Sequence, residues 1–127
     1  MALWIIAITN HLKPKEKSPM PLLVALFLVV TSEFSIQTGK VDEFLALIQD
    51  GLEVSRRFSG NQSFEIYLEK EKPGKVLFIE QWESAQHFQT YYQWRAERGD
   101  FETLGEYFSA PPAMHFYRAL DELGASE

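Results

Sequence analysis

The chain has no cysteine, which excludes a disulfide framework, a thiolate nucleophile and any thiolate metal site. It is also poor in positive charge: twelve Lys and Arg stand against eighteen Asp and Glu, a net charge of -6. The one adjacent basic pair is Arg56-Arg57, so no cationic stripe can neutralise a row of phosphates, and nucleic acid is not an expected partner. Histidine is scarce. His11, His87 and His115 stand far apart and show no ligand spacing of the HExxH kind, so no metal site is expected. Nor is any apolar run long enough for a membrane span: Pro21 to Val30 is half of the roughly 20 residues a helix needs. Lys13, Lys15 and Lys17 ahead of that run imitate a secretory signal. The run starts late, however, and Thr31-Ser32-Glu33 makes a poor small-residue cleavage site. The run is therefore read as a strand and the protein as cytoplasmic.

What the chain does have is enough apolar residue for one packed domain. It is 127 residues long and 46% hydrophobic, which leaves no room for a second domain of ordinary size and is too apolar for disorder. Ten Phe, five Tyr and three Trp make it 14% aromatic, more than a small core requires, which suggests a flat ligand.

Three segments are expected. Residues 1–20 form an extension with a short apolar stretch and a Pro/Lys-rich linker; it is either an extra edge strand or lies upstream of a start at Met20. Residues 21–121 form the domain, and residues 122–127 an acidic tail. Within the domain, Leu22 to Val30 reads as a strand buried on both faces. Val41, Phe44, Leu45, Ile48 and Leu52 recur at helical spacing, with Asp42 and Glu43 in the first turn and Arg56 and Arg57 in the last, and Gly60-Asn61 stops that helix. Phe64, Ile66 and Leu68 alternate with polar neighbours, Lys72-Pro73-Gly74-Lys75 is a turn, and Val76 to Trp82 is the returning strand. Ser84 caps a second helix, broken at Gly99-Asp100. Phe101, Leu104 and Phe108 continue a helical face to Pro111-Pro112, and Met114 to Leu120 is the last strand. The order βαββαβ predicts an α+β ferredoxin-like split βαβ fold, a four-stranded antiparallel sheet with its helices on one face. The apolar residues left on the other face predict a homodimer through face-to-face pairing of sheets.

Residues Val76-Leu77-Phe78-Ile79-Glu80-Gln81-Trp82-Glu83-Ser84, with Gly39-Lys40-Val41-Asp42-Glu43-Phe44, the Gly60 turn and Pro111-Pro112-Ala113-Met114-His115-Phe116-Tyr117, resemble the antibiotic biosynthesis monooxygenase family of dimeric α+β barrels. The resemblance covers about residues 20 to 121. It implies a paired ferredoxin-like subunit and, in the quinol-monooxygenase-like branch, an oxygenase that needs no cofactor and takes a small aromatic or quinol-type molecule and O₂ as its partners. That branch is similar in having His87 after the Glu80-to-Ser84 motif. Elsewhere the chain departs from the family. Second-helix and Pro-His-Phe histidines of other members fall on Tyr91 and Asp100. The asparagine and haem-ligating histidine of the haem-degrading branch fall on Ser32 and near Gly105, which disfavours a haem-binding relative. A non-catalytic binding or dimerisation module of the same fold is the other alternative.

An electron-rich aromatic substrate reduces O₂ itself once deprotonated, so the protein must supply a base, a donor for the developing anion and a dry pocket. Glu80 shares a strand face with Phe78 and Trp82 by period-two alternation. Facing the helices, it would be a base whose proton affinity is raised by burial; the alternative is a carboxylate simply paired with Arg95 or Arg118. His87, in the first turn of a helix, is the second catalytic candidate, as a neutral proton acceptor, or else a solvated surface residue. Trp82 is expected either as a flat wall of the pocket or as plain core, Phe78 as a wall beside it, and Ser32 joins them by its family position at the end of the first strand. Tyr91 and Tyr92 lie about 100° apart on a helix, so one is expected to face a substrate oxygen and the other to pack elsewhere. Arg95, one turn from Tyr91, could steady a phenolate. Tyr67, Tyr117 and His115 read as sheet or dimer packing.

Overall fold

In the computed structural model, which describes residues 27–120, the elements run β1 (Leu28–Ser35), α1 (Val41–Arg57), β2 (Asn61–Leu68), β3 (Lys75–Trp82), α2 (Ala85–Glu97), α3 (Asp100–Gly105) and β4 (Ala113–Arg118). The strands form one antiparallel sheet in the order β2-β3-β1-β4, the ferredoxin-like arrangement expected. The expected extension at 1–20, the residues Leu22 to Leu26 of the first strand, and the tail at 122–127 lie outside the described residues.

The inner face of the sheet is set by alternation. Leu28, Val30, Ser32 and Phe34 of β1 are buried, as are Val76, Phe78, Glu80 and Trp82 of β3, and the register pairs them: Leu28 with Trp82, Val30 with Glu80, Ser32 with Phe78 and Phe34 with Val76. Here the expected first strand needs correction. It does not follow the apolar run to Val30 but continues through Thr31, Ser32, Glu33 and Phe34, and it alternates instead of being apolar on both faces. Ladder hydrogen bonds to β3 and β4 on its two sides hold these polar residues extended, so pairing, not hydropathy, sets the strand's end. Ser32 consequently sits in mid-strand.

Helix α1 carries Asp42 and Glu43 at its start and Arg56 and Arg57 at its end, opposing the macrodipole at both termini. Its fully buried Phe44 meets the rings of Phe34, Tyr107 and Phe108. The chain leaves α1 through Gly60 at φ 92, and Arg56 donates to the carbonyl of Phe64 at 2.8 and 3.0 Å, tying the helix end to β2. Ser84 caps α2 by accepting from the backbone N–H of His87 at 3.2 Å. Gly99, at φ 81, turns the chain into α3. That helix ends at Gly105 and does not continue to Phe108 as the spacing predicts. The Gln37 side chain donates to the carbonyls of Glu106 and Phe108, and Ile36 bridges Phe108, so the sheet edge captures backbone groups that a longer helix would use.

Candidate active site

Between the inner sheet face and the three helices lies a cavity of about 680 Å³, within the range that holds small organic ligands. Phe34, Phe64, Phe78, Phe88, Phe116 and Met114 give it apolar walls, and exposed residues of α1 and α3 such as Val54 and Thr103 stand at its rim. Ser32, Phe78, Glu80, Tyr91, Tyr92 and Arg95, all expected at a site, are brought together on its lining.

Glu80 is the charged group of the cavity floor. It lies on a central strand with Val30 and Phe64 directly across on its two neighbours and Phe78 and Trp82 two residues away along β3, so every adjacent inward side chain is apolar. Only 4% of it is exposed. The Trp82 indole N–H donates to Oε1 at 2.9 Å, and among the described residues nothing donates to the second oxygen. Burial pushes the carboxyl up to about 7, against the opposing pull of the Trp82 hydrogen bond and the Arg95 charge. A carboxylate with that value, facing an apolar cavity, has the properties of a general base near neutrality. The alternative of an ion pair with Arg95 or Arg118 is not what the geometry shows.

The second polar pole belongs to the helices. Ser55 Oγ and the Tyr91 hydroxyl lie 2.7 Å apart. Arg95 donates from Nε to the Tyr91 hydroxyl at 3.1 Å, and from Nη2 to Ser55 Oγ at 2.9 Å and to the Gly51 carbonyl at 3.1 Å. Its Nη1 meets Asp100 Oδ2 at 2.8 Å, and Arg98 reaches the same oxygen at 3.1 Å. Burial acts to lower Arg95, but the hydrogen bonds to Asp100 and Tyr91 outweigh it and the net shift is upward. For Asp100 burial acts upward and the two arginines prevail, holding it below the usual carboxylate range. Burial, reinforced by the Glu80 charge, raises the Tyr91 phenol despite Ser55 and Arg95.

Three placements differ from expectation. Trp82 has no exposed surface and walls nothing. Its ring is enclosed by Tyr91 at 4.8 Å, Phe88 at 5.9 Å and Phe58 at 6.4 Å, and it acts on the cavity through Glu80. His87 is not on the lining. Its Nδ1 is 2.8 Å from Ser84 Oγ and its ring packs over Gly60, because the capped first turn of α2 points it toward the α1–β2 corner. Tyr91 and Tyr92 both face inward, at 7% and 8% exposure. Helix α2 is wedged among the sheet, α1 and α3, so its buried stripe exceeds 100°: Tyr91 meets Trp82 and Phe58, while Tyr92 packs on Phe101 at 4.5 Å.

Ser55 and Asp100 are site residues that the helical periodicity did not single out. A signal for Ser55 was present: with Gly51 it interrupts the apolar stripe of Phe44, Ile48 and Leu52 with two small residues one turn apart. A Cβ on Gly51 would lie 3.4 Å from Arg95 Nη2, in ordinary contact with the guanidinium. Asp100 was marked only by its place after Gly99 and as the position on which the Pro-His-Phe histidine of other family members falls. Among the described residues no cluster of His, Asp and Glu could hold a metal. No described histidine lines the cavity, and Gly105, near which the haem-ligating histidine of the haem-degrading branch falls, has no side chain to offer.

Fold and site thus define a ferredoxin-like α+β domain that encloses an aromatic cavity with a buried acid. The chain belongs to the antibiotic biosynthesis monooxygenase family, whose model matches residues 27–96, more than half its length. Among solved structures it is similar to a conserved protein from Methanosarcina mazei Go1, at 21% identity and a TM-score of 0.68 over 72% of this chain and 91% of that one. A protein from Shewanella oneidensis is similar at 19% identity and a TM-score of 0.68, over 74% and 91% of the two chains. A structure described as an antibiotic biosynthesis monooxygenase is similar at 16% identity and a TM-score of 0.67, over 72% and 97%. These likenesses establish the fold. No curated protein matches the chain. Among the described residues no helix is long and apolar enough to cross a membrane.

Proposed function

We propose that the protein is a monooxygenase that oxidises a small aromatic, quinol-type substrate with O₂ and uses no cofactor, Glu80 acting as its general base. The observation that carries this reading is a buried carboxyl, its pKa near 7, on the floor of an aromatic-walled cavity of substrate size. Glu80 takes a proton from the substrate. The electron-rich anion then transfers an electron to O₂, and recombination at a ring carbon gives a hydroperoxide. Loss of water from that carbon leaves a carbonyl, so that a phenolic O–H, one ring C–H and O₂ become two C=O groups and H₂O; the substrate supplies the electrons, and Glu80 returns its proton to the departing hydroxide. Phe78 and the neighbouring rings hold the aromatic plane, Tyr91, Tyr92 and Arg95 face its oxygen functions, and Ser32 lines the floor beside Glu80.

Oxygen uptake with a panel of quinols and naphthols tests the assignment. Turnover is expected to rise with pH through about 7 and to fall about a hundredfold or more in Glu80→Gln, the scale of a lost general base; this substitution keeps an oxygen for the Trp82 N–H. His87→Ala is expected to retain activity, since that ring does not reach the cavity. Undiminished turnover in Glu80→Gln would remove the base. Ligand binding without oxygen consumption across the panel would favour a non-catalytic binding module instead. We propose further that two copies pair through the outer sheet face, in the cytoplasm, and that no nucleic acid is bound.

A further inference from the structure

We propose that Tyr91 is the group that receives a substrate oxyanion, and that Ser55 and Asp100, acting through Arg95, are positioning residues that free its hydroxyl proton for a bound phenolic oxygen. The assignment rests on the reading of the cavity as a site for phenolic molecules and names the half of that site opposite the base. It follows from proton accounting. A guanidinium only donates, so the Tyr91 and Ser55 oxygens both accept from Arg95, at 3.1 and 2.9 Å. The hydrogen between those two oxygens, 2.7 Å apart, can then belong to either. With Tyr91 donating to Ser55, the Ser55 proton goes to the Gly51 carbonyl at a long 3.4 Å, a weak bond. With Ser55 donating to Tyr91, the phenol accepts two hydrogen bonds and its own proton is released toward the cavity that Tyr91 lines. Rotating two O–H bonds interconverts the arrangements, with no movement of heavier atoms. A phenol that already accepts from a cation and a hydroxyl is a strengthened donor, and a charge-assisted bond to an oxyanion is about twice as strong as a neutral one.

Asp100 holds the guanidinium in place. The guanidinium is gripped at Nη1 by Asp100 and at Nη2 by α1, with Arg98 completing the carboxylate's partners. Arg95 is therefore held facing Tyr91 rather than extended into solvent. The base is close by: the Tyr91 ring lies against Trp82, whose N–H holds Glu80. A phenolic oxygen seated between the two groups would give its proton to Glu80 and develop its charge facing the Tyr91 hydroxyl.

The test uses equilibrium binding, so it does not depend on turnover. In Glu80→Gln the amide stands in for the protonated base, and 4-nitrophenol reports its own ionisation by colour; 4-nitroanisole, with the same ring but no acidic oxygen, is the control. Near neutral pH the bound nitrophenol is expected to show phenolate absorption. Adding Tyr91→Phe should weaken phenolate binding roughly tenfold to a hundredfold, the loss of one hydrogen bond to a charged group. Ser55→Ala and Asp100→Asn should each weaken it several-fold, Asp100→Glu should restore part of the loss, and nitroanisole affinity should hold throughout. Equal phenolate affinity with and without the Tyr91 hydroxyl would overturn the proposal. So would no nitrophenol binding at all, or parallel losses for nitrophenol and nitroanisole in Ser55→Ala and Asp100→Asn, which would make those residues merely structural. Intact phenolate selectivity in a protein that consumes no oxygen would instead refute the oxygenase reading and leave Tyr91 in its role.

Discussion

Glu80 holds its proton more tightly in the folded chain than in the unfolded one, and stability must follow. Its folded value is about 7 against an ordinary 4.5, with burial the leading cause. Below about 4.5 both states are protonated and there is no penalty. Between the two values the folded state binds more protons, so stability falls as pH rises, levelling off above about 7. The full shift corresponds to roughly 3 kcal/mol. Glu80→Gln, which carries no charge, is therefore expected to be the more stable protein at alkaline pH and to lose that advantage as pH falls toward 4.5; urea midpoints measured across this range check it. A wild type whose midpoint rises with pH relative to the variant would contradict the buried acid. At this scale the sequence was informative where period-two alternation applies: Phe78, Glu80 and Trp82 were legible as one face. It was silent on which of them touches the cavity, because Trp82 is sealed by Phe58, which lies beyond α1, and by Phe88 and Tyr91 of α2, contacts that no local pattern encodes.

Among the elements, α1 was legible to within a turn, since its apolar spacing, its acidic start and its basic end all agree. The first strand and the third helix were not. Both have ends decided by hydrogen bonds to distant backbone: β1 by its two neighbours, and the exit of α3 by Gln37 and Ile36. The corner between α1 and β2 gives a sharp test. Gly60 adopts φ 92, and a Cβ there would fall 2.3 Å from His87 Cγ. The backbone conformation alone costs a non-glycine residue roughly 1–3 kcal/mol, and displacing the capped His87 adds to it. Gly60→Ala is expected to lower the urea midpoint markedly. Gly60→Ala combined with His87→Ala should recover little of the steric share, because the Cβ of residue 87 would itself lie 2.4 Å from the added one. Full recovery in the double variant would show that the ring alone crowds the corner.

On the scale of the whole molecule, the outer sheet face is where the proposed pairing of two copies would fall. Val29, Leu77, Ile79 and Tyr117 point away from the helices by alternation and register, and Tyr117 is half exposed in the single chain. If two copies cover this face, Ile79→Lys should sediment as a monomer where the wild type sediments as a dimer at micromolar concentration. In the monomer the new ammonium would stand opposite Glu65, so the fold should survive, as far-ultraviolet circular dichroism would show. A wild type that sediments as a monomer would refute the pairing.

The acid on β3 is bonded through its backbone to strands on both sides, whereas part of the opposite wall is α3, six residues long and entered through a glycine in the left-handed region. The two sides of the chamber therefore differ in how freely they can diverge. Mutational drift or laboratory selection for bulkier molecules will find its permissive positions at Phe101, Thr103 and Leu104, while the buried carboxyl stays where it is, so that under the proposed function descendants of this chain would change what they accept long before they change how they act on it.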